Sequence, residues 1–258
     1  MNRISIQFST ALLASLAIVG CKKASDTQAP APTVDSSHSN SVTSTQPTEA
    51  PVGKGSIRGK VVFAGPAPAP RTIDNHTCVP NAKPIVEESI VVNANSTLKN
   101  VVVYLKEVPG DAVASTEVPV IDQVDCHYVP HVIAITVGQK VAFKSSDATL
   151  HNVHMMGTGG NAGNFAMPKP AVSTAQKFGE VEFTRVKCDV HPWMNCWVAV
   201  MDGPYFSVTG DNGEFEIKNV PAGSYTLNTW HEKLEPLTQS VTVMADAPAQ
   251  VTFTVKAP

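Results

Sequence analysis

From Gly55 onward, apolar and polar residues alternate in short runs. SIRGKVVFAG, ESIVVN, LKNVVVYLKEV, HVIAITVG, KVAFKSS, EVEFTRVKC, WVAVMD, GEFEIKNV, SYTLNTW, QSVTVMA and AQVTFTV are rich in Val, Ile, Thr or Phe. Gly, Pro, Asn or Asp separates them. A period of two places alternate side chains on one face, which is the pattern of half-buried strands. No long 3.6-residue period occurs in the body of the chain. The pattern therefore predicts an all-β protein of one or two sandwiches with Greek-key connections. Asp211-Asn212-Gly213 and Pro221-Ala222-Gly223 predict tight turns between neighbouring strands.

The N-terminus follows a different pattern. Met1-Asn2-Arg3 is a basic start, ALLASLAIVG is apolar, and Cys21 follows. That order predicts a secretory signal, and the apolar run is short for a bilayer span. Ile18-Val19-Gly20-Cys21 resembles a bacterial lipobox. The resemblance implies removal of residues 1–20, lipidation of Cys21 and a membrane anchor. Lys22 follows Cys21 in place of Asp, which by the same rule favours the outer membrane, facing the periplasm. An ordinary signal with a chance Cys is the other reading. Most of residues 21–54 are Ser, Thr, Pro or Ala, with few larger aliphatics. Such a segment buries too little to offset its ordering entropy, so a flexible tether is expected. A glycosylated stalk is the alternative.

Composition narrows the function. The formal net charge is −3 and only 16% of the 258 residues are charged, so no basic surface points to a nucleic-acid partner. The 43% hydrophobic content is enough for a core. No CxxCH, HExxH, GxSxG or phosphate loop occurs, which leaves c-type haem and the corresponding catalytic classes without support. The expectation is a protein that is not an enzyme. Five cysteines are present, at 21, 78, 126, 188 and 196. In an exported chain they are free to form disulfides.

One constellation carries chemistry. In CDVHPWM, Cys188, His191 and Met194 supply a thiolate, an imidazole and a thioether within one loop between two strands. Upstream, SSDATLHNVH contributes His151. Two imidazoles and a thiolate with a weak axial thioether form the ligand set of blue-copper sites. A closed zinc site, or a metal-free loop kept for packing, are the other readings of these residues.

At this point a family becomes visible. YVPHVIAITVGQKVAFKSSDATLHNVH resembles the first half of a cupredoxin, and CDVHPWM is similar to the amicyanin-type copper loop. The resemblance covers roughly residues 119–203. It implies one mononuclear type-1 copper with His151, Cys188 and His191 equatorial and Met194 axial. It also implies that the backbone of Asn152 donates to the Cys188 sulfur while its side chain braces the loop. Pro192 and Trp193 would cover the ring of His191, whose exposed edge would be the electron port to a redox protein partner. Two features depart from the family. Val186 stands where an aromatic residue is common, and Cys196 is an extra thiol. Cys188 and Cys196 are too far apart in sequence for a binuclear copper-A centre. HNVH is not the HxH pair that multicopper oxidases use.

The remaining residues are assigned around that site. His154 is expected on the opposite strand face from His151, and His131 of CHYVPH on a solvent face. With lipid and copper claiming Cys21 and Cys188, a Cys78–Cys126 disulfide is expected, and Cys196 is then a buried strand thiol. Pairing of Cys196 with Cys78 or Cys126 stays open. Met155, Met156 and Met167 are expected in the apolar rim and core. Residues 204–258 are similar to carboxypeptidase-regulatory-like (prealbumin-like) β-sandwiches, which are non-catalytic. Those modules begin with a strand like SIRGKVVFAG. Residues 55–115 are therefore expected to complete that sandwich, with the cupredoxin, 116–203, inserted between. A consecutive arrangement is the alternative. His231 is expected at the surface or in an interdomain hydrogen bond. The functional expectation is an exported electron carrier. The alternatives are a copper-handling lipoprotein and a structural envelope sandwich with a degenerate site.

Overall fold

The computed structural model describes residues 55–76, 78, 84–107 and 115–256. The expected signal, Cys21 and the tether lie outside the described residues. Among the described residues the regular structure is β-strand, apart from a 3-10 turn at Gly159–Asn161. The all-β expectation holds.

Two sheets enclose the first core. One orders the strands Glu214–Val220, Gly55–Ala64 and Pro248–Lys256. The other orders Phe206–Val208, Val102–Leu105, Gly223–Trp230 and Thr238–Val243. Alternation does the work that the pattern predicted: Val251, Phe253 and Val255 point inward between exposed neighbours, onto Ile57, Val61 and Phe63 of the adjacent strand. Val103, Leu105, Leu227 and Val241 meet them from the second sheet. The opening and closing segments of the described chain thus share one core. The predicted turn at Gly213 has φ of +68°, a conformation glycine adopts without steric cost.

A second sandwich lies between those segments in sequence. Its five-stranded sheet orders Ala162–Met167, His151–Met156, Phe183–Lys187, Asn195–Met201 and Val132–Thr136. The facing sheet orders Ala171–Val172, Lys140–Ser145, Val120–Val124 and His127–Val129. Phe143, Tyr128, Ile121, Val153, Val186, Val198 and Phe178 fill the space between them.

The two sandwiches belong to one compact unit, Gln46–Pro258. They meet through Val102, Val132, Ala199 and Met201. Phe183 stacks on Trp230 at 4.3 Å, and Trp230 meets Trp197 edge-on at 5.1 Å. Across the same junction His131 pairs with Glu232, and both are nearly buried.

This corrects the expectation that His131 faces solvent, since it is only 6% exposed. The alternation within its own strand was read as open surface, but the other sandwich covers it. His231 is likewise buried rather than at the surface. Its Nδ1 accepts from the Lys233 amide, so its neighbour Glu232, not His231, bridges the junction. ESIVVN is not a strand beyond an isolated bridge at Val92. In turn, Val120–Val124 is a strand that its polar Asp122 and Gln123 obscured. Gln123 is buried there because it donates to Tyr128 Oη and the Asn152 carbonyl.

Candidate metal centre

The strand Phe183–Lys187 runs antiparallel to Asn195–Met201, and residues 188–194 form the loop between them. Two backbone bonds fold that loop tightly: Cys188 N–H to the Met194 carbonyl at 3.0 Å, and Met194 N–H to the His191 carbonyl at 2.9 Å. The strand His151–Met156 pairs with Phe183–Lys187 on its other edge. His151, at the start of its strand, thereby reaches the loop.

The result is a buried cluster of three donor atoms. Nδ1 of His151 lies 3.0 Å from Nδ1 of His191. Cys188 Sγ lies 3.9 Å from the first and 3.8 Å from the second. The point equidistant from these three atoms is about 2.1 Å from each, close to the roughly 2.0–2.3 Å of first-row metal bonds to His nitrogen and Cys sulfur. The donor set therefore fits a single ion without rearrangement of its side chains. Met194 is fully buried in the same core cluster as Cys188.

The electrostatics shift the Cys188 thiol down and the His151 imidazole up. Burial alone would raise the Cys188 thiol, yet the hydrogen bond from His151 and the amides of Asn152, His191 and Val190 hold it below its ordinary value. Burial works against charge on His151, but its bonds to Asp147 and Cys188 push it up to about 9. Burial and the neighbouring charge of His151 lower His191.

Asn152 braces the loop from outside. Its Oδ1 accepts from the Asp189 amide at 2.6 Å, and its Nδ2 donates to Asn164 Oδ1 and Asp189 Oδ2 at 2.8 and 2.9 Å. His154 faces away from the cluster and pairs with Asp189 at 3.0 Å. Bonds from Lys187 and His154 hold the Asp189 carboxyl well below the usual range.

The indole of Trp193 sits 5.4 Å from the His191 ring and donates to the Cys126 carbonyl at 3.0 Å. Here the structure corrects the expected exposed port. His191 is only 5% accessible, because Trp193 is tied down over it, while Pro192 remains exposed. Met155 and Met167 are core residues, and Met156 is exposed. Cys78 and Cys126 form a disulfide, and Cys196 is a buried free thiol that burial pushes up strongly.

Three residues near the site escaped the sequence reading. Tyr128 Oη donates to the Asn152 and Lys187 carbonyls at 2.8 and 3.2 Å, and Gln123 joins it from behind the ligand strand. Asp147 contacts His151 Nε2 at 2.9 Å. For Asp147 the signal was available in the i, i+4 spacing of SSDATLH. For Gln123 and Tyr128 it was not, since their partners come from other strands.

Residues 174–251 match the family model described as polysaccharide lyase family 4, domain II. That region spans less than half of the chain. The matching description differs from the carboxypeptidase-regulatory-like module expected for residues 204–258. No curated protein matches the chain. Among solved structures, a purple cupredoxin from Nitrosopumilus maritimus is 21% identical over 32% of this chain and 99% of its own, with a TM-score of 0.28. A Cu(I) amicyanin mutant is 22% identical over 38% of this chain and 98% of its own, with a TM-score of 0.30. An oxidised amicyanin mutant is 24% identical over 38% and 98%, also at 0.30.

Proposed function

We propose that this chain is an exported type-1 copper protein that carries single electrons between redox proteins at the cell envelope, held there by a lipid on Cys21. The observation that carries the reading is the buried triangle of His151 Nδ1, His191 Nδ1 and Cys188 Sγ, with Met194 beside it. Copper bound there would supply a one-electron couple between its two oxidation states.

The residues do the rest. Cys188 presents a thiolate from a loop held by its own backbone bonds. His151 and His191 would turn their Nδ1 lone pairs to the point between the three donor atoms, where the ion would sit. Asn152, Asp189 and Asn164 limit movement of the loop, so the donor atoms keep their places whichever charge they face. The surrounding apolar core of Phe143, Val153, Met167 and Val186 excludes water. The partner would meet the face bearing Pro192, Val190 and Leu150, all exposed next to the ligands.

The test is the visible absorption and EPR spectrum of the soluble part of the chain loaded with Cu(II). An intense thiolate-to-copper band with reversible one-electron cycling supports the carrier role. Stoichiometric copper lost on each reduction would favour copper delivery instead. No copper binding would overturn the reading.

A further inference from the structure

We propose that Asp147 is a positioning residue that sets the reduction potential of the site by holding His151 through its distal ring nitrogen. This deepens, and rests on, the copper reading above. Asp147 is 6% exposed and His151 fully buried, so the contact between them is made out of water. The imidazole stands between two groups. Its Nδ1 faces His191 and Cys188, and its Nε2 lies 2.9 Å from Asp147 Oδ2.

The carboxylate itself is fixed from the far side. Oδ1 accepts from the Asp125 amide at 2.8 Å, and Oδ2 also accepts from the Cys126 amide at 3.0 Å. Those amides converge on it because Asp125 and Cys126 both lie in the left-handed region, at φ of +51° and +62°. Non-glycine residues hold such a conformation only where surrounding contacts determine it. Here Asp147 supplies two hydrogen bonds and the Cys78–Cys126 disulfide a covalent tie. The sulfurs of that disulfide lie within 4.8 Å of the donor atoms of Asp147 and His151. The turn, the disulfide, the carboxylate and the ring therefore form one continuous support.

Two consequences follow for a bound ion. A carboxylate accepting from Nε2–H fixes the tautomer that leaves the Nδ1 lone pair free, and it raises the basicity of that nitrogen. Its negative charge, held in a dry site one imidazole away, favours the higher oxidation state over the lower. Asp147 therefore lowers the potential relative to a site without it.

The experiment compares the copper-loaded protein with Asp147→Asn, which keeps the size of the side chain and removes its charge. Thiolate-to-copper absorption is recorded first, then the midpoint potential. The expected result is retained absorption and an upward shift of potential in the variant. An unchanged or lowered potential overturns the proposal. In the metal-free protein, ¹⁵N NMR of the His151 ring should show a protonated, hydrogen-bonded Nε2; a bare Nε2 overturns the proposal even if the variant does not fold. Absence of the absorption band in the unaltered protein would instead overturn the copper reading, and the ring spectrum would still decide whether Asp147 holds His151.

Discussion

Cys188 Sγ and His151 Nδ1 face each other across 3.9 Å although 37 residues separate them in the chain. The pairing of Phe183–Lys187 with His151–Met156 brings them together, with Val186 opposite Met155 and Lys187 opposite His154. The site is thus a product of strand register. A one-residue slip would turn His151 outward and His154 inward.

Cys188→Ser replaces the only free thiol in the donor triangle. The variant is expected to lose the thiolate-to-copper band completely, as read by visible absorption after Cu(II) loading. A retained band would show that another sulfur carries it.

Met194→Leu keeps the volume of a fully buried side chain and removes its sulfur. Copper binding should persist and the midpoint potential should rise, because a weak electron donor is lost. Stability should change by no more than about 1.5 kcal/mol in chemical denaturation. Loss of all metal would point to a different ligand set.

Asn152→Ala removes the acceptor for the Asp189 amide and the donor to Asn164 and Asp189. Copper should leave the site faster, as read by competition with a chelator. The apo protein should lose about 1 kcal/mol of stability.

His231 gives a pH dependence away from the metal. It is 8% exposed, and burial lowers it to about 4; the nearby His131 and Lys233 act in the same direction, and Glu232 opposes them. Unfolded, the ring takes a proton below about 6.5. Between those values the unfolded chain binds more protons, so stability falls as pH drops from about 6.5 towards 4. The full loss is about 3 kcal/mol. Urea unfolding at a series of pH values should show it. His231→Asn should flatten this interval and leave the unfolding free energy at pH 7 less affected.

Reduction of the Cys78–Cys126 disulfide opens a loop with a sequence separation of 48, for which chain entropy predicts about 4 kcal/mol. Denaturant unfolding with and without a thiol reductant measures it. A loss below about 1 kcal/mol would mean that the reduced chain keeps the turn closed by other contacts.

The strands Gly55–Ala64, Glu214–Val220 and Pro248–Lys256 were legible from alternation alone, since a two-residue period on a half-buried sheet leaves its imprint in every other residue. Cys188 and His191 were legible as neighbours because one short loop carries both. The pairing of Cys78 with Cys126 was reached from residue types and remaining partners. What the one-dimensional pattern did not carry was whatever a distant strand supplies. Gln123 reads as polar and is fully buried, because Tyr128 and the Asn152 carbonyl meet it there. His131 reads as exposed and is covered by the sandwich that brings Glu232. His191 was expected to show its edge, and Trp193, tied to Cys126, closes over it. Local spacing determines which side chains share a strand face or a loop, and so the sequence by itself determined the fold class and the donor types. Burial and hydrogen bonding are sums over neighbours remote in the chain, and so only the tertiary structure decided the shape of the donor triangle, the support from Asp147 and the cover over His191.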